Sequence, residues 1–439
     1  MRAGWAAAAI TPPLGVRLAG FGARTEGARG VHDDLYARAL VFDDAGRRAA
    51  LVLYDLCELD APFVARVRER VETQTGIPTT CVMVAATHSH GAPATFPLLS
   101  EAPDPRWLEA VVARAAGAAA EAGERLAPVT IAVGAGREAT VGRNRRREDG
   151  PTDPAVTVVR FEQAAPAGDA SPPGGTASLV HYGCHPTVLG PDNLLVTRDY
   201  PGFTVDAVAR ATDGWAAFAN GACGDVNVGH SAGRTALGIL TAGRTFDRAE
   251  ALGLRLAVAA LHASATLHPV NGRLASGRRT LTVPLRTPSE PDARAAVRAE
   301  RERLESLAAA GASNEQLADA RLELFYAEAA LLWVEQRAGT SEPTEVQAIA
   351  AGDLALIALP GEFFAESGLR LRERSPFPFT LPVCYANGCL GYVPPARAFE
   401  EGGYETKLSP WSRVAASAEA AILDAAAGLL SELRDAAAR

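Results

Sequence analysis

Nowhere do the 439 residues run to about 18 uninterrupted apolar positions, so the sequence predicts no transmembrane helix. A basic surplus is missing too. Lys and Arg number 43 against 51 Asp and Glu, a net charge of −8. Nucleic acids and anionic membranes select basic patches, so neither is expected as a partner. The one basic cluster, RNRRRED at 143–149, is closed by two acids. The opening MRAGWAAAAITPPLG lacks the hydrophobic stretch and cleavage site of a signal peptide. Six cysteines (Cys57, Cys81, Cys184, Cys223, Cys384, Cys389) lie in apolar segments without zinc-knuckle spacing. They read as reduced thiols of a cytoplasmic protein. Histidine is scarce, at eight residues.

What is present is globular. Hydrophobic residues make up 48% and charged residues 21%, enough for a large core in a chain of this length. ARALVFDD, RRAALVLYDL and TTCVMVAATHSH read as strands. APFVARVRERVETQTG and PRWLEAVVARAAGAAAEAGERL have helical periodicity, so strands and helices alternate in an α/β core. VTIAVGAGREATVG, DPAVTVVRFE and ASLVHYGCHP read as a meander, with a flexible loop at 164–177 before the last strand. Residues 288–340 predict a helical hairpin added to the outside. Its second helix opens with the capping box SNEQ, and Leu317, Leu324, Phe325, Leu331 and Leu332 form its core-facing side. DLALIALP, a turn at GEFFAESG, the strand FTLPVCYANG and a C-terminal Ala-rich helix complete the chain. The expected fold is one α/β domain over 1–439: a mixed β-sheet core flanked by helices, with the site at strand ends.

The chemistry-bearing residues sit in four short stretches. VAATHSHGAPAT (84–95) holds His88 and His90, which share one face if the strand runs through them. HYGCHPTVLGPDN (181–193) places His185 after an apolar strand, and LIALPGEFFAESG places Glu362 in a Pro-Gly turn. ANGACGDVNVGH (219–230) packs small residues around Asp225 and Asn227. Alone, each stretch has an ordinary reading: a hydrogen-bonded core histidine pair, a helix-capping acid, a plain loop. Together, two or three histidines and a carboxylate match a hydrolytic zinc set.

In order, ITPPLG…GFGAR, LYARALVF, ATHSHGAP, GRNRR…DPAVTVVRF, CHPTVLGPDN…RDYPG, GACGDVNV, LPGEFFAESG and GY…GGYE resemble the neutral/alkaline non-lysosomal ceramidase family, a group of zinc amidohydrolases. The resemblance runs from about residue 9 to 405. It implies His88, His185, Glu362 and Tyr392 as ligands of Zn²⁺. It implies His90, Arg145 and Tyr404 as groups acting on the substrate carbonyl, although Arg143, Arg146 or Arg147 could stand in for Arg145. Tyr392 could also be ordinary packing. The family motif GDVSPN carries a serine proposed as nucleophile, and here Asn227 takes its place. An amide cannot serve as that nucleophile but can orient a substrate, so water would attack directly. His90, Asp225 or Glu362 would be the base, with His90 favoured because imidazole titrates near working pH.

Family ceramidases also carry a C-terminal immunoglobulin-like domain, and many are secreted. This sequence predicts neither that domain nor a leader, which favours a soluble small-molecule amide over a membrane sphingolipid. The leading expectation is therefore a zinc amidohydrolase of the ceramidase type. A zinc acyl transferase or cyclase and a non-catalytic binding protein on the same fold are the alternatives. A TIM-barrel amidohydrolase, which also uses HxH, does not fit the strands that precede residue 88.

Overall fold

The computed structural model describes residues 1–97, 103–164, 175–337 and 339–438. Part of the 164–177 loop therefore lies outside the described residues. The larger sheet is built from β1 (Arg2–Ala9), β2 (Tyr36–Asp44), β3 (Arg47–Tyr54), β4 (Val82–Ala86), β5 (Ala127–Arg137), β6 (Ala155–Gln163), β7 (Thr176–Tyr182) and β8 (Trp215–Asn220). Its order is β8-β7-β6-β5-β1-β2-β3-β4, with His268–Val270 added along β5. The β3–β4 and β7–β8 pairs are parallel and the other neighbours antiparallel, so the sheet is mixed. The meander expected from three consecutive β-rich runs is β5-β6-β7.

A second sheet was not expected. β9 (Leu274–Pro284), β10 (Ser341–Ala351), β11 (Leu354–Ala358) and β12 (Phe379–Val383) form it in that order, with β11 and β12 parallel. Strand side chains alternate between faces. Leu40 and Phe42 of β2 therefore point to one side and Ala39 and Val41 to the other. The first pair meets Ile349, Leu354, Leu356 and Leu381 of the second sheet in a dry interface. The second pair packs under helices α1 (Ala61–Thr75) and α2 (Pro105–Glu124). α3 (Asp199–Ala211) and α4 (Phe246–Ala263) extend that helical layer. The result is helices, sheet, sheet, helices, the last layer being the Ala-rich C-terminal helix Ala418–Ala438 through Ile422, Leu423, Ala426 and Leu430.

The 288–340 segment contains α5 (Glu290–Ala309) and α6 (Asn314–Gln336). Ser313 caps α6, and the reciprocal Gln316 bond completes the capping box. The buried side of α6 differs from the expected leucine face. Tyr326, Ala329 and Trp333 are buried, whereas Leu332 is 42% exposed. Aromatic bulk decides this: Trp333 fills the interface and donates its indole N–H to the Arg286 carbonyl at 3.0 Å. GEFFAESG is also more than a turn, because α7 (Ala365–Arg374) starts inside it. All six cysteines are free. Among the described residues no helix is long and apolar enough to cross a membrane.

Candidate metal centre

The parallel pairs β3–β4, β7–β8 and β11–β12 bring chain ends from both sheets to one edge, where their loops meet. β4 pairs with β3 only as far as Tyr54↔Ala86, so His88 and His90 lie beyond the strand. Strand alternation therefore does not bring them together. His88 has φ +68°, a left-handed conformation that costs a non-glycine residue energy and that clusters at functional sites. It is held by its N–H on the Leu56 carbonyl (3.0 Å) and by Tyr385, whose ring stacks on the imidazole with centroids 4.0 Å apart.

Three buried side chains converge. His185 Nε2 is 2.9 Å and His88 Nε2 3.5 Å from Glu362 Oε2. Each histidine spends its other nitrogen on backbone: His88 Nδ1 on the Cys57 carbonyl (2.9 Å), His185 Nδ1 on the Cys223 carbonyl (2.7 Å). With Nδ1 donating, both Nε2 lone pairs face the shared space, the arrangement a metal requires. Burial lowers the pKa of both imidazoles to about 3, keeping them neutral as ligands must be. Burial raises the Glu362 carboxyl, and His88 and Arg145 oppose that shift.

Glu362 pairs in register with Tyr392 in a two-residue parallel ladder, which sets these two side by side. Gly361 makes the approach possible, since a Cβ there would sit 2.6 Å from the Gly391 carbonyl oxygen. The Tyr392 hydroxyl is 3.5 Å from His185 Nε2 and accepts from Arg145 Nη2 at 2.8 Å. Of the four clustered arginines, Arg145 is thus the one that reaches the group. Arg143–Asn144 pairs antiparallel with Val226–Asn227, which fixes the stretch. Glu405 then grips Arg145 Nε at 2.7 Å and Arg146 at 2.8 Å. Burial alone would raise the Glu405 carboxyl, but the two guanidinium groups outweigh it and hold it below the usual range.

His90 Nε2 lies 3.1 Å from His88 Nε2, and its Nδ1 is buried without a partner. Gly20 makes room for it: a Cβ there would be 2.3 Å from His90 Nδ1. Tyr404 sits edge-on to Tyr392, with Arg145 near both rings. His90, Arg145, Tyr392 and Tyr404 line one cavity of about 40 Å³ with Phe21 and Phe325. Arg145 and Tyr404 also line a charged cleft of about 690 Å³.

Two sequence candidates fall elsewhere. Asn227 uses its amide on its own loop. Its oxygen accepts from the Gly229 and His230 N–H groups and its NH₂ donates to the His230 carbonyl. The oxygen and one of the two amide N–H groups are thus spent within a buried loop. Asp225 is similarly engaged, accepting from the Ala365 N–H at the start of α7 and from the Asn144 amide, so it braces the site and is not placed as a base. Sequence reasoning missed Tyr385, Glu405 and His230. His230 closes the very stretch that held Asn227, and it lines the cavity.

The family model for the N-terminal part of neutral/alkaline non-lysosomal ceramidases matches residues 2–229. The chain belongs to the neutral/alkaline non-lysosomal ceramidase family. A solved ceramidase complexed with C2 superposes on this family member with TM-score 0.75 at 19% identity, over 99% of this chain and 75% of that one. The neutral ceramidase from Pseudomonas aeruginosa gives TM-score 0.75 at 20% identity, over 99% and 74%. At these identities the likeness is one of fold. No curated protein sequence matches the chain. The family match covers His88, His90, Arg145 and His185. Glu362, Tyr392 and Tyr404 lie beyond it, and the fold brings them to the same edge.

Proposed function

We propose that this protein is a zinc-dependent amidohydrolase that cleaves the N-acyl bond of a soluble small molecule, working as one catalytic unit across residue 229. The observation that carries this reading is the convergence of His88 Nε2, His185 Nε2 and Glu362 Oε2, all buried, with both imidazole tautomers locked by carbonyls. Two imidazoles and a carboxylate with a nearby phenol suit Zn²⁺ in an open catalytic site. In this reading His88, His185, Glu362 and Tyr392 hold the ion, which supplies Lewis acidity to the carbonyl and to water.

The chain's own groups do the rest. Arg145 and Tyr404 face the cavity as donors for a developing oxyanion. His90 Nε2 is the ring nitrogen that faces the metal group, 3.1 Å from His88 Nε2, so it would be the acceptor for a proton from attacking water. The C–N bond then breaks, the electron pair goes to nitrogen, and that proton follows it. Phe21 and Phe325 narrow the cavity against bulk water, while the outer cleft bears Arg146, Arg147, Glu323, Glu401 and Lys407. Such a charged approach favours a polar amide over a membrane lipid.

The test is release of free amine from a panel of N-acyl amides, ceramide included. Activity abolished by chelator and restored by zinc supports the reading. Chelator-resistant cleavage, or no cleavage across the panel by zinc-loaded protein, contradicts it.

A further inference from the structure

Two arginines against the cavity wall, Arg24 and Arg244, have no acid in ion-pair contact, and a third, Arg248, lies further out and is exposed. Among the described residues, no carboxylate lies within ion-pair distance of Arg24, Arg244 or Arg248. Arg24 is only 4% exposed. Its guanidinium donates to the carbonyls of Ala19 (3.1 Å), His90 (2.9 Å) and Gly190 (3.2 Å), and its Nε has no partner. Arg244 donates to the carbonyls of Thr187, Val188 and Leu189, and Arg248 to that of Val228. Carbonyl oxygens satisfy N–H groups but do not cancel a unit charge. Arg24 and Arg244 lie 5.0 and 5.4 Å from the centroid of Phe21, which is cavity wall.

The other walls do not restore neutrality. Asp192 acts on Arg24 and Arg244, and Asp199 on Arg244, only from beyond ion-pair distance. Arg145 and Arg146 both bond to Glu405, and Arg146 also reaches Glu401 at 3.5 Å. Glu362 belongs to the metal group. His230 sits in the wall with Arg145, Arg244 and Arg248 acting on it, and its ring makes no hydrogen bond to another described residue. Its backbone is fixed on both sides by the Asn227 amide.

We propose that the substrate carries a carboxylate beside the scissile amide, as in an N-acyl amino acid, and that this carboxylate sits against His230 within the field of the unpaired arginines. The proposal rests on the hydrolase reading, whose scissile bond it shares. Asn227 then has a positioning function: it holds the 227–230 turn so that the imidazole faces the cavity. An anion is drawn in by charges that cannot reach it directly, and the His230 N–H supplies the short-range contact.

The experiment uses the zinc-loaded full chain and two compounds that cannot be cleaved, an N-alkylsulfonyl glycine and its carboxamide. Binding is measured by calorimetry. The acid is expected to bind about tenfold tighter or more at low salt, and the gap to narrow at high salt. His230→Glu, which puts a negative charge where the carboxylate would sit, removes the preference. His230→Gln, which keeps a donor, retains most of it. Equal binding of acid and carboxamide by the wild type, or a preference that salt and His230→Glu leave intact, overturns the proposal. N-acyl glycine and N-acyl glycinamide separate the two readings. Cleavage of both at equal kcat/KM would refute the carboxylate claim and leave the hydrolase standing. Preference for the sulfonyl acid with neither amide cleaved would do the reverse.

Discussion

Replacing Glu405 by Gln leaves the shape of the site almost unchanged and removes the charge that anchors Arg145. Both partners are nearly inaccessible, with side chains 5% and 2% exposed, and Glu405 serves Arg145 and Arg146 at once. Breaking a buried pair by neutralising one partner costs about 3–5 kcal/mol, because the other charge stays buried. Gln keeps one acceptor, so the lower end applies, about 3 kcal/mol. With unfolding entropy near 2.1 cal/mol/K per residue, a chain of this size would lose only about 3 °C in Tm. Urea denaturation is therefore the better assay. The cycle of Glu405→Gln, Arg145→Gln and the double variant should give a coupling of about 2–3 kcal/mol. Activity should fall in both single variants, since Arg145 also donates to the Tyr392 hydroxyl. Stability effects that add to within about 0.5 kcal/mol would refute the claim that this pair is structurally coupled.

Other substitutions probe the same arrangement. Gly20→Ala puts a methyl group within 2.3 Å of His90 at a φ of +88°, so kcat should drop about tenfold or more while the circular dichroism spectrum is kept. Unchanged kcat would show that His90 need not stay where it is. Asp225 has its pKa pushed up to about 6, chiefly by burial, partly offset by the Ala365 N–H. Its native form binds protons more readily than the unfolded form, so its contribution to stability is full below about pH 4. That contribution is lost as pH rises to 6, by about 3 kcal/mol. Asp225→Asn should flatten that slope in pH-dependent urea titrations, and an unaltered slope would refute the assignment. Tyr385→Phe keeps the ring on His88 and loses only the hydroxyl, which lies 3.1 Å from Cys223 Sγ. Tyr385→Ala should weaken metal retention during dialysis far more than Tyr385→Phe does. Equal retention would mean the stack does not position His88.

Local pattern made six strands of the larger sheet, β2 to β7, with α1, α2 and the capped start of α6, legible in the sequence, but not β1 or β8. The helices are carried by a period of 3.6, and the strands by short β-rich apolar runs, several of them buried on both faces, that a short window contains. The second sheet was only half seen. LASGRRTLTVP alternates too weakly, because one face of β9 is covered by the C-terminal helix and the other by the first sheet only at Leu274. The candidate site was legible as residue types next to strand ends, but not as geometry. His88 and His90 meet through a left-handed turn and a tyrosine from residue 385, neither of which spacing encodes. Asn227 was read as facing substrate because its motif suggested it. Its amide instead makes three side-chain-to-backbone bonds within its own loop, next to His230, and these are invisible in sequence. Glu405 escaped notice because an acid next to Tyr404 has no meaning until Arg145, 260 residues away, arrives beside it.

The central claim is that His88, His185 and Glu362 form a metal site, and metal content tests it most directly. Wild type and His185→Ala, purified alike and dialysed after zinc addition, would be analysed by mass spectrometry. The account predicts about one zinc per wild-type chain and loss of that zinc in the variant, with the fold retained by circular dichroism. A wild type that retains no metal, or a His185→Ala chain that retains as much, would contradict it.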